Sequence, residues 1–462
     1  MTNKIANKIK KILIFIFIFS FIFSENICLS IYAAYKPSFE TEAKGCYLFN
    51  IDTETVLFEK NKDLKLAPAS LVTIMTAIVV LEKIKDIDKT TAVAKGYIFD
   101  DLYGKAGATA GILRGEELTI RQLLECMLTQ SACEAAMILA DAICEDDISA
   151  FVDLMNNKAK ALGAKNTCFT TPHGLNDDEN EYSTAYDMFL ITRYAMELPA
   201  FMDIVSQTAH EIPATNKRNS FSVFTTIEPM KKSSKYYYPP IRGIKTGTQE
   251  SGRSFVSSAT KDGFTYMCCV LGAPYKNEKT GKIIAGNKAF EETIKLYDWA
   301  FDNFKLKTVL TPDSPATEIS LKYAFNKDHL KLSTEKNILV LVPDSADISQ
   351  IKTEYNLPEV ISAPITKGEI LGTAKMTLNG SDIAWFNLVS FENVDRSWPV
   401  YILSSIKNLM KFLFFRIFII ILILILFLLI IILYFRSKNK KLRSKSKLKS
   451  RKKINKKNNI FR

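Results

Sequence analysis

The stretch Ala67-Pro-Ala-Ser70-Leu-Val-Thr73-Ile-Met-Thr-Ala77 is the one from which the rest of the chain can be read. Pro68 has the fixed φ that suits a first helical turn. Leu71, Ile74, Met75, Ile78 and Leu81 then recur at helical spacing. A helix is therefore expected to begin near Pro68, with Ser70 at its start, where the positive end of the helix dipole favours an alkoxide. Upstream, Cys46-Tyr-Leu-Phe-Asn50 and Thr55-Val-Leu-Phe58 read as a hairpin around Asp52-Thr53-Glu54. Downstream, Thr119-Ile-Arg-Gln122 is a capping-box pattern. It opens a helix expected to run through Leu123, Leu124, Met127 and Leu128 and on into the alanine-rich turns from Ala135. Arg253–Ala259 and Phe264–Leu271 are strand-like and joined by Lys261-Asp262-Gly263, an Asp-Gly hairpin signal. Strand-like and helix-like segments thus alternate from about Gly45 to Phe304. From Val309 to about Val400 the character changes. Short β-like runs such as Ile338–Val342 and Ala384–Val389, separated by Pro, Asn and Gly turns, predict a second, β-rich domain.

A chain of 462 residues with 47% hydrophobic and 24% charged residues has room for two domains with real cores plus targeting segments. The net charge of +12 is not spread over a binding face. Arg436 to Arg462 holds 14 Lys/Arg and no acid, and without that tail the chain is close to neutral. A nucleic-acid partner is therefore not expected. The eight cysteines form no C-x-x-C pair and read as small apolar core residues. His173, His210 and His329 are too scattered for a histidine metal site.

Lys4, Lys8, Lys10 and Lys11 followed by the apolar run Ile12–Phe23 match a secretory signal, with cleavage expected near Ala33–Ala34. An uncleaved signal anchor is the alternative. Ile417–Phe435 is uninterrupted apolar sequence, and its nineteen residues span about 30 Å as a helix. The basic tail behind it places the C-terminus in the cytoplasm by the positive-inside bias. The expected organisation is a signal peptide (1–34), a main domain (35–305), a β-rich domain (306–400), a juxtamembrane linker (401–416), a transmembrane helix (417–435) and a basic cytoplasmic tail (436–462).

Three short elements carry chemistry: Ser70 at its helix start, Ser131 after Leu128-Thr-Gln130, and Lys245-Thr246-Gly247 before the Asp-Gly hairpin. Serine acyl enzymes that lack a catalytic histidine use a set of this kind, S-x-x-K, S-x-N and K-T-G. Each triplet alone is weak, since Ser-x-x-Lys also occurs at Ser258–Lys261 and Ser333–Lys336. The longer context is specific. Asn50–Asn61, Ala67–Leu71, Ile74–Ala77, Gly115-Glu-Glu-Leu-Thr119, Lys158–Thr167, Thr171-Pro-His-Gly-Leu175, Tyr182–Asp187 and Gly243-Ile-Lys-Thr-Gly247 stand in an order that closely resembles the low-molecular-mass penicillin-binding D-alanyl-D-alanine carboxypeptidases, serine peptidases of family S11.

The resemblance covers about residues 45 to 400. It implies an α/β (α+β) transpeptidase/β-lactamase-like domain, an antiparallel sheet covered by helices, with the smaller β-rich domain as a stand-off from the membrane. It further implies a serine acyl-enzyme that removes the terminal D-alanine from peptidoglycan stem peptides ending in D-Ala-D-Ala. β-Lactams would acylate the same serine, and no metal or organic cofactor is implied. Ser70 takes the nucleophile position, with Ser131 and Lys245 as its catalytic partners. Lys245, Thr246 and Gly247 take the substrate-binding strand. His173 reads as a turn-stabilising residue and Asp187 as a helix-start or network residue.

Two motif positions depart from the family. Lysine would stand at 73 and asparagine at 133, and this chain has Thr73 and Cys133. Threonine cannot accept a proton as a neutral amine does, and cysteine cannot present an amide donor. Two rescues are open: Lys245 acting through Ser131 as a replacement base, or Cys133 as a substitute nucleophile. Two readings follow: a D,D-carboxypeptidase homologue with weakened activity, or a catalytically inactive peptidoglycan-binding or regulatory homologue that keeps the cleft.

Overall fold

The computed structural model describes residues 37–175, 180–277 and 279–458, with side chains to residue 438. The signal peptide expected over 1–34 and the last residues of the basic tail lie outside the described residues. The chain forms two compact units. The first runs to Leu310 and takes in Asn337–Glu354 and Ala374–Phe386; the second comprises Thr311–Lys336, Tyr355–Thr373 and the chain from Asn387.

The first unit is built on a five-stranded antiparallel sheet. Its strands are β1 (Gly45–Asn50), β2 (Thr55–Lys60), β3 (Ile241–Gln249), β4 (Gly252–Lys261) and β5 (Phe264–Ala273), in the order β2-β1-β5-β4-β3. The expected hairpins close as read. Asp262 and Gly263 both adopt positive φ (54° and 85°), as a two-residue turn between right-twisted strands requires. The longer helices of this unit are α1 (Val72–Lys83), α2 (Ile120–Gln130), α3 (Cys133–Cys144), α4 (Ile148–Ala161), α5 (Ala185–Glu197) and α6 (Lys288–Asn303).

Strand periodicity sorts the side chains of β5 onto two faces. Met267, Cys269 and Leu271 join the core of helices α1–α5, together with Tyr47 and Phe49 of β1. Tyr266, Cys268 and Val270 are buried on the other face, where Tyr266 meets Phe301 of α6 edge-on at 4.8 Å. The neighbouring thiols of Cys268 and Cys269 thus face opposite layers. All seven described cysteines are free, as their apolar settings suggested.

The capping box forms as predicted. Thr119 Oγ1 accepts from Gln122 N–H (3.2 Å), and Gln122 Oε1 accepts from Thr119 N–H (2.8 Å). The expectation of one helix continuing past Ser131 is corrected. α2 stops at Gln130, Ser131 turns into the left-handed region (φ 66°, ψ 29°), and α3 starts afresh at Cys133. A short 3-10 turn, Ala69–Leu71, likewise precedes α1, so the regular helix begins four residues after Pro68.

The second unit is β-rich. β6 (Thr317–Lys322) pairs antiparallel with β7 (His329–Thr334) and parallel with β8 (Val360–Ser362). The stretch expected to be a linker is helical over Trp398–Leu409. A last helix spans Leu413–Asn458; its portion Leu413–Lys438 contains an 18-residue window with a mean hydropathy of 3.8 and is long and apolar enough to cross a membrane.

Candidate active site

Ser70 sits half-buried in the 3-10 turn ahead of α1. Its neighbour Ala69 is held at φ 52°, a strained conformation for a residue with a Cβ. Two glycines let other segments press onto this turn. A Cβ at Gly247, on β3, would come within 2.8 Å of Pro68 O and 3.3 Å of Ala69 Cβ; one at Gly174, in the Thr171–Leu175 loop, would fall 2.0 Å from Ala69 O. The Lys245-Thr246-Gly247 edge and the Ser70 turn are thereby in direct contact. Thr73, one turn further on, is 1% exposed and donates its hydroxyl proton to Ser70 O at 2.7 Å. It is engaged with its own helix backbone, a common habit of helical threonine.

The break after α2 sets Ser131 against β3. Lys245 Nζ lies 2.7 Å from Ser131 Oγ and 3.1 Å from the carbonyl of Thr246. The lysine is completely buried, and that burial pulls its pKa from 10.5 down to about 7. A lysine so poised is partly neutral at physiological pH and can take the proton of the hydroxyl it touches.

Cys133 is buried at the first turn of α3, with its N–H on Ala108 O at 2.9 Å. Burial, helped by the neighbouring Glu134 carboxylate, raises its thiol to about 11. It is protonated at neutral pH, which removes the thiolate a substitute nucleophile would need. Glu134 is also buried. Its Oε1 accepts from Thr109 Oγ1 (2.6 Å), Ala110 N–H (2.7 Å) and Gly111 N–H (3.1 Å), fastening the 109–111 segment to the start of α3.

His173 is buried, and its Nδ1 accepts from Leu175 N–H at 2.9 Å. Desolvation, with Lys105 nearby, lowers its pKa to about 4, so the ring is neutral and serves the turn. Asp187 caps its own network, accepting from Thr167 Oγ1 and Asn166 N–H, both at 2.7 Å. Glu181 holds the loop bearing His173, accepting from the N–H groups of Thr170 and Thr171, both at 3.1 Å. No cluster of three or more metal-ligating side chains occurs among the described residues.

The structure therefore joins Ser131 to Lys245 and sets the Ser70 turn against Gly247 of the same strand, and leaves Thr73 and Cys133 buried and occupied. Reading the sequence missed Glu134, Glu181 and Thr226. Thr226 Oγ1 lies 2.7 Å from Thr246 Oγ1. Nothing in Thr225-Thr226 distinguishes it from an ordinary loop pair.

A family profile described as D-alanyl-D-alanine carboxypeptidase matches residues 32–275, and one described as the C-terminal domain of penicillin-binding protein 5 matches residues 304–396. The chain is 31% identical to the D-alanyl-D-alanine carboxypeptidase DacC of Escherichia coli, over 77% of this chain and 84% of that protein. It is 28% identical to DacF of Bacillus subtilis, over 77% and 87%. Among solved structures, penicillin-binding protein 5 of Haemophilus influenzae superposes with a TM-score of 0.61 at 26% identity, covering 78% of this chain and all of that one.

Proposed function

The chain belongs to the D-alanyl-D-alanine carboxypeptidase family, and we propose from that premise that it is a serine acyl-transfer homologue whose base is the Ser131–Lys245 pair. The substrate is the D-Ala-D-Ala end of a peptidoglycan stem peptide. Ser70 Oγ attacks the carbonyl of the penultimate D-alanine. Its proton passes to Ser131 Oγ as Ser131 gives its own proton to neutral Lys245. Collapse of the tetrahedral adduct breaks the peptide bond, and the leaving amine of D-alanine takes the proton back. Water then hydrolyses the ester. The observation that carries this reading is the buried Lys245 amine, 2.7 Å from Ser131 Oγ and with its pKa lowered to about 7. Thr246 would meet the substrate's terminal carboxylate along β3, while Lys245, buried against Ser131, serves as the base.

The altered positions weaken this chemistry. An amine at 73 would stand one helical turn from Ser70, and a general base contributes roughly 10²–10⁴-fold in rate. Cys133 withdraws one amide donor from the substrate backbone. Slow acylation is the expected behaviour.

We place residues 35–305 as the catalytic domain and 306–400 as the stand-off. Ile417–Phe435, within the apolar helix portion Leu413–Lys438, would be a single membrane span, holding both domains outside the cell and the basic tail against the anionic inner leaflet.

The test is acylation of the full chain, purified in non-ionic detergent, by a fluorescent penicillin, with mass spectrometry of the labelled peptide. A slow adduct on Ser70, absent in Ser70→Ala and slower still in Lys245→Ala, is expected. A folded protein that never forms an adduct refutes the acyl-transfer reading and leaves a homologue that binds stem peptides without cleaving them.

A further inference from the structure

We propose that Thr226 is a positioning residue for substrate carboxylate recognition, acting through Thr246; this rests on the reading above in which Thr246 meets the terminal carboxylate. The segment Phe224–Ile227 brackets the two motif elements that Lys245 joins directly. On one side, Phe224 N–H donates to Gln130 Oε1 (3.1 Å) and Thr226 N–H donates to Thr129 O (3.2 Å), both at the end of α2 just before Ser131. On the other side, Thr226 Oγ1 is 2.7 Å from Thr246 Oγ1 on β3. Both threonines are only half-buried, so the hydroxyl pair lies within reach of solvent and ligand.

Each hydroxyl has one proton and two lone pairs. In a pair at 2.7 Å one hydroxyl donates and the other accepts, and the acceptor keeps its proton for a third group. A carboxylate accepts only. Thr246 can serve it only if the Thr246 proton points outward, which requires Thr226 to be the donor within the pair. Thr226 therefore sets the direction of the Thr246 hydroxyl. By donating to it, Thr226 also polarises the outgoing O–H, strengthening the bond to an anion. The anchorage of Thr226 to Thr129 O fixes the donor without any strand of the sheet having to move.

The experiment compares two N-acetylated tripeptides ending in D-Ala-D-Ala, one with a free C-terminal carboxylate and one with a C-terminal amide, binding to the full chain in detergent by calorimetry. Thr226→Val should lower the preference for the free acid by about 3–10-fold, the scale of one hydrogen bond to a charged group, with affinity for the amide unchanged. Thr226→Ser should restore the preference. Thr246→Val is the control for the underlying reading. If the preference survives in Thr246→Val, or the wild-type chain binds neither peptide, the carboxylate site itself is wrong. If Thr246→Val abolishes the preference and Thr226→Val leaves it intact, the positioning role is wrong. An equal loss of acid and amide binding in Thr226→Val makes Thr226 merely structural, which also overturns the proposal.

Discussion

Replacing Lys245 with methionine keeps the length and bulk of the side chain and removes its one titration. In the folded protein burial holds the lysine at about 7 against 10.5 for the unperturbed group. The folded value is the lower one. Between the two values the unfolded chain therefore holds a proton that the folded chain has released, and stability rises with pH across that window. Below about pH 6 both states are protonated and the contribution is flat. Each tenfold change in proton affinity corresponds to about 1.4 kcal/mol. With the folded group half-titrated at pH 7, wild type should gain about 2 kcal/mol relative to Lys245→Met between pH 7 and 9. The unpaired Ser131 hydroxyl left by the substitution offsets the two curves by a constant and does not alter their divergence. Urea unfolding of both full chains in the same detergent, from pH 5 to 9, measures the difference directly. Acylation by penicillin in the same buffers should show an ascending limb near pH 7 in wild type. A stability difference that stays constant from pH 6 to 9 would show that Lys245 keeps its proton, and the Ser131–Lys245 pair could not then accept the proton of Ser70.

Four further outcomes are expected. Thr73→Lys should raise the acylation rate by about 10²-fold or more, read as the second-order rate constant with a fluorescent penicillin; no increase in a folded variant would mean that Lys245 already supplies the full base. Cys133, 4% exposed with its thiol raised to about 11, should resist iodoacetamide at pH 8 in the folded chain and react once unfolded, as peptide mapping would reveal. Glu134→Ala leaves its three donors on residues 109–111 without their acceptor and should cost about 3 kcal/mol of stability by urea unfolding, with Glu134→Gln recovering part of it. Gly174→Ala, whose new Cβ would meet Ala69 O at 2.0 Å at a positive φ of 72°, should displace the Ser70 turn and abolish acylation even where the chain still folds by circular dichroism.

Much of the molecule was legible from local pattern. The Asp262-Gly263 turn, the Thr119–Gln122 capping box, the hairpin around Asp52 and the apolar run near the C-terminus are all decided by residues within a few positions of one another. The resemblance to the family's motif order, rather than local chemistry, marked the two departures at Thr73 and Cys133. The break at Ser131 was not legible. No glycine or proline marks it, and Ser131 accepts a left-handed backbone there because Cys133 N–H finds Ala108 O and Glu134 finds the 109–111 loop, partners more than twenty residues away. The bracket by Thr226 is equally non-local. The sequence by itself determined which groups the chain owns: a serine at a helix start, a serine after the next helix, a strand lysine, and no lysine at 73. Only the tertiary structure decided that Lys245 is fully enclosed against Ser131, because proton affinity in a buried site depends on how completely water is excluded by atoms drawn from every surrounding segment.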